Sequence, residues 1–469
     1  MNISHYFLGF PPFHGGGLMI YARDLAKEQL KMGHNVSMLM PGKHLKYTRE
    51  SVIKYYKINE GLQIYQIINA QPVSFSGIVN PEEFIKEKIE NNYHQFLKKN
   101  YIQVLHVHSL IGFPIELLEE AKKLKIKTVF TTHDYFGLCP KIFLYKYNNV
   151  VCDDFNSGKD CVLCNCNTSD NSQQIKLRNL MLSMYYDLIK LLYNVKPIKK
   201  IYHLLKEKKV VINEQEKYDS LKVDEDKAIG FLRFRNYYKN IIEQFDTIIF
   251  NSNVTKKEYD KYVNLNNTKQ HILPVTHSMI KDNRNIFDYQ PTINNKVIFL
   301  FMGYLTEKKG FCDLVSVLNE IKENYSNWKM AIYGEYSHVD LDKFDKKFFE
   351  FCGRYKHDDL FDIFSNSSIL IMPSKLKETF GFVGLEAYSY GIPILASENV
   401  GFEQYVKNGE NGIVYKESRD RKYIKDSLIS ILENPQLLYR FNKELLENDF
   451  KFLIRDHCNE IVDCYASLL

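Results

Sequence analysis

The chain has 469 residues, of which 45% are hydrophobic and 25% charged, with a formal net charge of +5. That length exceeds one ordinary core and points to two domains, and a charge so near balance gives no reason to expect nucleic acid as a partner. No run of eighteen uncharged apolar residues occurs, which argues against a membrane-spanning helix.

In chain order, Asn2–Leu8 reads as a strand and Leu18–Lys31 as a helix, with Gly33-His34 turning into a strand over Asn35–Met40. Val104–His108 is a short apolar strand, Ile115–Leu124 a helix and Thr128–Thr132 a strand. Asp246–Asn251 continues the pattern, followed by a helix over Val254–Tyr262. Short apolar strands alternating with amphipathic helices argue for a parallel, doubly wound sheet. The N-terminus lacks the basic region and cleavage site of a signal peptide, so a cytoplasmic location is expected.

The alternation restarts with a strand over Lys296–Met302 and a helix over Phe311–Glu323. Strands follow over Trp328–Tyr333 and Phe348–Phe351, a helix over Asp358–Ser365 and a strand over Ile369–Met372. A glutamate-bearing helix and a strand over Ile394–Ser397 come next. The polar stretch 281–295 reads as a linker between two Rossmann-like domains, 1–280 and 296–445. The last segment, 446–469, is expected to be a helix returning to the first domain.

Residues 136–240 interrupt the first half. Five of the nine cysteines fall between Cys139 and Cys166. Cys139, Cys152, Cys161 and Cys164 could close a structural tetrahedral zinc site or hold an iron–sulfur cluster; the alternative is free thiols. Downstream, residues 176–209 carry nine Lys/Arg against two acids among leucines and tyrosines. A basic amphipathic helix of this kind can lie on an anionic membrane surface, or simply pack on its own domain.

The most informative motif is Glu378-Thr379-Phe380-Gly381 followed by Phe382-Val383-Gly384-Leu385-Glu386. A glycine-bearing turn offers backbone N–H groups to an anion, and two flanking carboxylates can accept hydrogen bonds from hydroxyls. The helical rise from Gly381 to Glu386 is roughly 7–8 Å, enough to reach past a diphosphate to a ribose. This is the pattern of a nucleotide-sugar site. Lys309, before Gly310 at a helix start, is placed to face a diphosphate whose negative charge grows as it leaves. His133 ends the strand Thr128–Thr132, where open α/β sheets bind ligands, and could bond a sugar hydroxyl or stabilise charge near an anomeric carbon. His14-Gly15-Gly16-Gly17 lets backbone approach a phosphate, yet it is neither a dinucleotide fingerprint nor a P-loop.

On these residues the chain resembles retaining GT-B glycosyltransferases of the glycosyltransferase family 4 group. The likeness is strongest over 296–415 and includes Gly303 to Gly310, the Glu-x7-Glu pair and the tail through Gly401-Phe402-Glu403 and Asn408-Gly409-Glu410. It implies two Rossmann-like domains facing each other across a cleft, acting on a nucleoside-diphosphate sugar (UDP-, GDP- or ADP-linked) and a glycan or lipid-linked acceptor. It also implies residue roles. Glu378 would contact donor-sugar hydroxyls and Glu386 the ribose. Lys309 with the amides of Phe380 and Gly381 would hold the diphosphate, Gly16 and Gly17 would approach phosphate or acceptor, and His133 would sit by the transferred sugar. No catalytic metal is implied. One departure stands out: Tyr304 occupies a position where relatives carry Arg, with Lys308 or Arg354 as substitutes. A non-catalytic subunit of the same fold and a sugar-nucleotide epimerase are the competing readings.

Overall fold

A computed structural model describes residues 1–10, 16–45, 50–75, 77–87, 90–166, 223–337, 339–416 and 420–469. The basic segment 176–209, His14 and Gly15 lie outside the described residues. Two compact units divide the chain: Met1–Ile249, Asp260–His271 and Ile461–Leu469 form one, and Phe250–Tyr259 with Ile272–Glu460 form the other.

The first unit begins with β1 (Asn2–Tyr6), α1 (Gly17–Lys31) and β2 (Asn35–Pro41), then β3 (Val52–Asn59) and β4 (Leu62–Ile68). It continues through α2 (Tyr93–Lys99), β5 (Val104–Val107), α3 (Ile115–Lys123), β6 (Lys127–Thr132), α4 (Lys159–Asn165) and α5 (Glu225–Ile242). β7 (Thr247–Phe250) and β8 (Lys269–Ile272) follow, and α6 (Asn253–Asp260), between them in sequence, falls almost wholly in the second unit. The sheet order is β3-β4-β2-β1-β5-β6-β7-β8. β1 pairs in parallel with β2 and β5, as an alternating βα sequence requires.

One edge departs from that pattern. β3 and β4 are an antiparallel hairpin turning at Glu60-Gly61, and β4 joins β2 in parallel. β3 is half-exposed along its length, which suits an edge strand; sequence periodicity assigned no element there.

Three histidines lie inside this unit. His5 is in register with His106 on the neighbouring strand, and all of His5, His106 and His108 are buried. His5 bonds His108 (2.9 Å) through Nδ1 and Gln29 (2.7 Å) through Nε2. His106 bonds Thr131 (2.7 Å) and the hydroxyl of Tyr465 near the C-terminus. Burial disfavours the charged imidazole, lowering His5 to about 4 and holding His108 well below the ordinary imidazole value.

The second unit carries β9 (Val297–Met302), α7 (Phe311–Ile321), β10 (Trp328–Tyr333), β11 (Phe349–Gly353), α8 (Leu360–Ser365) and β12 (Ile369–Met372). After these come α9 (Phe382–Tyr388), β13 (Ile394–Ser397), β14 (Gly412–Tyr415), α10 (Arg421–Glu433), α11 (Gln436–Glu447) and α12 (Ile454–Ala466), whose last turns belong to the first unit. The order β11-β10-β9-β12-β13-β14 is parallel at every pair. Its central strands are near-continuous apolar runs, the mark of a sheet covered on both faces. Loops leaving the C-terminal ends of β9 and β12 hold the residues singled out above. Among the described residues no helix is long and apolar enough to cross a membrane.

Candidate active site

The turn after β9 is fixed by close backbone packing. Gly310 ends a short 3-10 turn (Glu307–Lys309) with φ 72°, and a Cβ there would lie 1.8 Å from the Pro373 carbonyl oxygen. Only glycine fits. The backbone of the next loop closes on the same turn, with Lys375 N–H donating to the Lys308 carbonyl at 2.9 Å. Beneath it the buried Lys375 ammonium pairs with Asp313 (2.5 Å) and Glu307. That network orients the segment from which Lys309 projects.

Glu378 is clipped to the strand-like segment opposite: its N–H donates to Asn399 O (2.8 Å) and its carbonyl accepts from Gly401 N–H (3.1 Å). Thr379 O accepts from the Ser252 and Thr255 hydroxyls, both at 2.8 Å. Lys309 Nζ then lies 2.9 Å from Glu378 Oε1, with both side chains largely covered. Among the described residues the amides of Phe380 and Gly381 donate to no protein acceptor. A cation from the loop after β9 therefore meets the turn before α9 that carries a carboxylate and two unbonded N–H groups.

Glu386 lies one turn further along α9, and Gly384 between them lets Phe402 pack close, since a Cβ there would meet its ring at 2.7 Å. Tyr355 OH donates to Glu386 Oε2 at 3.4 Å. Burial pushes the Glu386 carboxyl up to about 7, partly offset by that hydrogen bond. Ligand atoms of His277, His357 and Glu386 lie within 4.8 Å of one another. Tyr355, His277 and His357 had no local signal in the sequence: Tyr355 and His357 reach Glu386 from the connection after β11, and His277 from the segment before β9.

The position of Tyr304 is explicit. Its ring is 73% exposed, and of the two substitute cations Arg354 pairs with Glu335 at 2.8 Å. Among the described residues neither Tyr304 nor Arg354 bonds to Lys309 or Glu378.

The first unit holds the remaining residues. His133 follows β6, with its ring centroid 4.7 Å from that of Tyr21 on α1 and 5.6 Å from that of His108. Asp134 accepts from Ser109 Oγ (2.9 Å) and Phe136 N–H (2.8 Å), and burial raises its carboxyl to about 6. Gly16, with φ 128°, caps α1, and Gly17 opens that helix. The structure thus gathers Lys309, Glu378, Phe380, Gly381 and Glu386 within the second unit, and sets His133 against α1 within the first.

Residues 282–447 match the family described as Glycosyl transferases group 1, and residues 15–168 match Glycosyltransferase Family 4. The chain is 25% identical over 241 residues to an uncharacterized 41.2 kDa protein in the cps region of Klebsiella pneumoniae, covering 49% of this chain and 64% of that protein. It is 28% identical over 160 residues to a glycogen synthase of Mycobacterium tuberculosis, covering 32% of this chain and 38% of that enzyme. The matched stretches thus span less than two thirds of either relative. An Anabaena protein crystallised with UDP-glucose superposes with a TM-score of 0.54 at 11% identity, covering 100% of both chains. That likeness concerns the fold. With two parallel-sheet α/β units and both matches on its length, the chain belongs to the group 1, family 4 glycosyltransferases and has their GT-B fold.

Proposed function

We propose that the protein transfers a sugar from a nucleoside-diphosphate donor to a glycan or lipid-linked acceptor with retention of anomeric configuration. The observation that carries this is the Lys309–Glu378 pair beside the unbonded amides of Phe380 and Gly381. As the bond from the anomeric carbon to the phosphate oxygen breaks, the diphosphate gains charge. The Lys309 ammonium and the two N–H groups offset it, and such preorganised donors are worth about 3–4 kcal/mol each where water is excluded. Glu378 accepts from donor-sugar hydroxyls, and Glu386, held by Tyr355, accepts from the ribose.

No protein nucleophile is required in this scheme. A leaving phosphate oxygen takes the acceptor's proton, and the acceptor oxygen bonds the anomeric carbon on the face just vacated. His133 is assigned to the transferred sugar, and Gly16 and Gly17 to phosphate or acceptor, roles that rest on the family resemblance. The similarity to a protein crystallised with UDP-glucose supports a sugar nucleotide as donor. The exposed Tyr304 favours a second reading, a non-catalytic subunit that keeps the fold and binds a partner transferase or glycan.

A panel of UDP-, GDP- and ADP-sugars scored by thermal shift separates ligand classes. One class is expected to raise the melting temperature, with Lys309→Ala abolishing the shift. No shift with any member would contradict the proposal.

A further inference from the structure

Beside Glu386 the second unit gathers two imidazoles. Among the described residues, two groups of three metal-ligating side chains bring one ligand atom each to within 4.8 Å of one another. In the first, His5, His106 and His108, both ring nitrogens of His5 and of His106 are held in hydrogen bonds. The second is His277, His357 and Glu386. No three of Cys139, Cys152, Cys161 and Cys164 come that close, and the Arg235 guanidinium lies against Cys152, Nη2 to Sγ, at 3.8 Å.

Local bonds fix each member of the second group. His277 is buried, its carbonyl accepts from Ile280 N–H at 3.0 Å, and the Thr276 hydroxyl donates to Phe452 O at 2.5 Å. Its ring packs against Phe382 at the start of α9, with centroids 5.4 Å apart, and meets the His357 ring edge to face at 5.6 Å. His357 opens a 3-10 turn (His357–Asp359), which Lys356 N–H closes by donating to Asp359 Oδ2 at 2.7 Å. Tyr355 OH donates to Glu386 Oε2 at 3.4 Å. The three side chains come from the segment before β9, the connection after β11 and a helix. Their approach is thus made by the fold and not by the i, i+4 spacing of one helix.

Two imidazole nitrogens and a carboxylate oxygen form a donor set for zinc and its first-row neighbours, whereas magnesium and calcium take oxygen donors. Tetrahedral ligation at about 2.0–2.1 Å sets ligand atoms about 3.4 Å apart. Closing from 4.8 Å asks for a movement of at most about 1.5 Å, within reach of the half-buried His357 side chain. A ligating carboxylate is ordinarily held by an outer hydrogen bond, the part Tyr355 plays for Glu386.

We propose that His277, His357 and Glu386 bind a divalent first-row transition ion of the zinc class, and that the bound ion keeps the donor's ribose from Glu386. The exclusion of donor rests on the reading of Glu386 as the ribose partner. The ion takes the carboxylate lone pairs that the ribose hydroxyls need, so each ligand weakens the other. Free zinc then sets the fraction of protein open to donor, and no step of the transfer passes through the metal.

Cobalt(II) titration of the full chain, followed by visible absorption, tests the site, and zinc affinity is read by competition against a chromophoric chelator. About one cobalt ion per chain is expected, with bands of nitrogen and oxygen ligation, displaced by zinc and not by magnesium. His277→Ala and His357→Ala are expected to weaken zinc binding more than about a hundredfold and Tyr355→Phe about tenfold. His94→Ala, which removes a partner of Glu120 in the first unit, should leave it unchanged. Should the buried His277→Ala fail to fold, the half-buried His357→Ala decides. Binding of UDP, GDP and ADP is then measured by calorimetric titration at buffered free zinc, which removes chelation by the phosphates from the comparison. The nucleotide that binds the zinc-free wild type is expected to bind at least about tenfold more weakly with zinc, and equally with and without zinc in His357→Ala. No stoichiometric cobalt binding, zinc affinity unchanged in both histidine variants, or a near-ultraviolet thiolate-to-cobalt band would overturn the site. Equal nucleotide affinity with and without zinc, in a wild type that holds the ion, would overturn the exclusion. If no nucleotide binds the zinc-free protein, the ribose reading of Glu386 fails, and the cobalt titration still decides the metal site.

Discussion

Lys309 and Glu378 reach one another from the loops after two different strands, and their 2.9 Å contact ties a cation to a carboxylate in the turn that precedes α9. The pair gives each residue a reason to be where it is before any donor arrives. Lys309 is held in orientation, and Glu378 is prevented from swinging toward solvent. Donor binding would then exchange part of this contact for bonds to phosphate and sugar.

The two residues should therefore act as a unit. Lys309→Ala and Glu378→Gln are each expected to lower kcat/KM by about 10²–10³. The double variant should lose much less than the product of the two, because residues acting together are non-additive. Steady-state kinetics on the three variants checks this. Simple multiplicativity would mean the pair is a crystal-clear structural contact with no shared role in turnover.

Donor binding should depend on pH through Glu386. Its carboxyl sits at about 7, raised by burial, so it is largely protonated below that value and cannot accept from both ribose hydroxyls. Donor Kd is expected to weaken by up to about tenfold per pH unit below 7, and Glu386→Gln should flatten the profile. The stability effect has the opposite sense. A raised carboxyl pKa favours the protonated folded state, so its contribution is present below the ordinary value of 4.5 and is lost as pH rises through about 7. Denaturant midpoints for wild type and Glu386→Gln between pH 5 and 8 should converge at the acid end.

Gly310→Ala should damage the fold locally. The residue has φ 72° and its Cβ would collide with the Pro373 carbonyl oxygen at 1.8 Å. A loss of about 2 kcal/mol or more is expected in urea unfolding, with donor binding lost because Lys309 is the next residue. Gly409→Ala, with nothing within 4 Å of its Cβ, is the control for left-handed strain alone.

Lys375 is 6% exposed as a residue and joins Glu307 to Asp313 beneath the same turn. Lys375→Met leaves two carboxylates without their cation and should cost roughly 3 kcal/mol, the lower end for breaking a buried pair because Glu307 is part-exposed. Restoring stability with Lys375→Met in an Asp313→Asn, Glu307→Gln background would show that the unpaired charge, rather than lost packing, is responsible.

Much of this architecture is readable in the sequence because it is local. Apolar runs of four to six residues between amphipathic helices announce the two sheets, and Glu378, Gly381 and Glu386 are spaced along one turn and one helix. Lys309 stands out by the glycine after it. What escaped is long-range. The β3–β4 hairpin has exposed Tyr55 and Ile58 and so no clean alternation. Tyr355, His277 and His357 meet Glu386 only after the connection following β11 and the segment before β9 converge on α9. Lys375 reads as one more solvated lysine until Asp313 is seen beside it. The histidine ladder likewise depends on strand register, which pairs His5 with His106 across the sheet.

The central claim is best tested by release of nucleoside diphosphate. Purified protein is incubated with each UDP-, GDP- and ADP-sugar and the freed diphosphate is measured for wild type, Lys309→Ala and Glu378→Gln. The account predicts slow release from one donor class by the wild type, and a loss of about a hundredfold in both folded variants. Equal release by all three proteins, or none from any donor with the wild type, would contradict it.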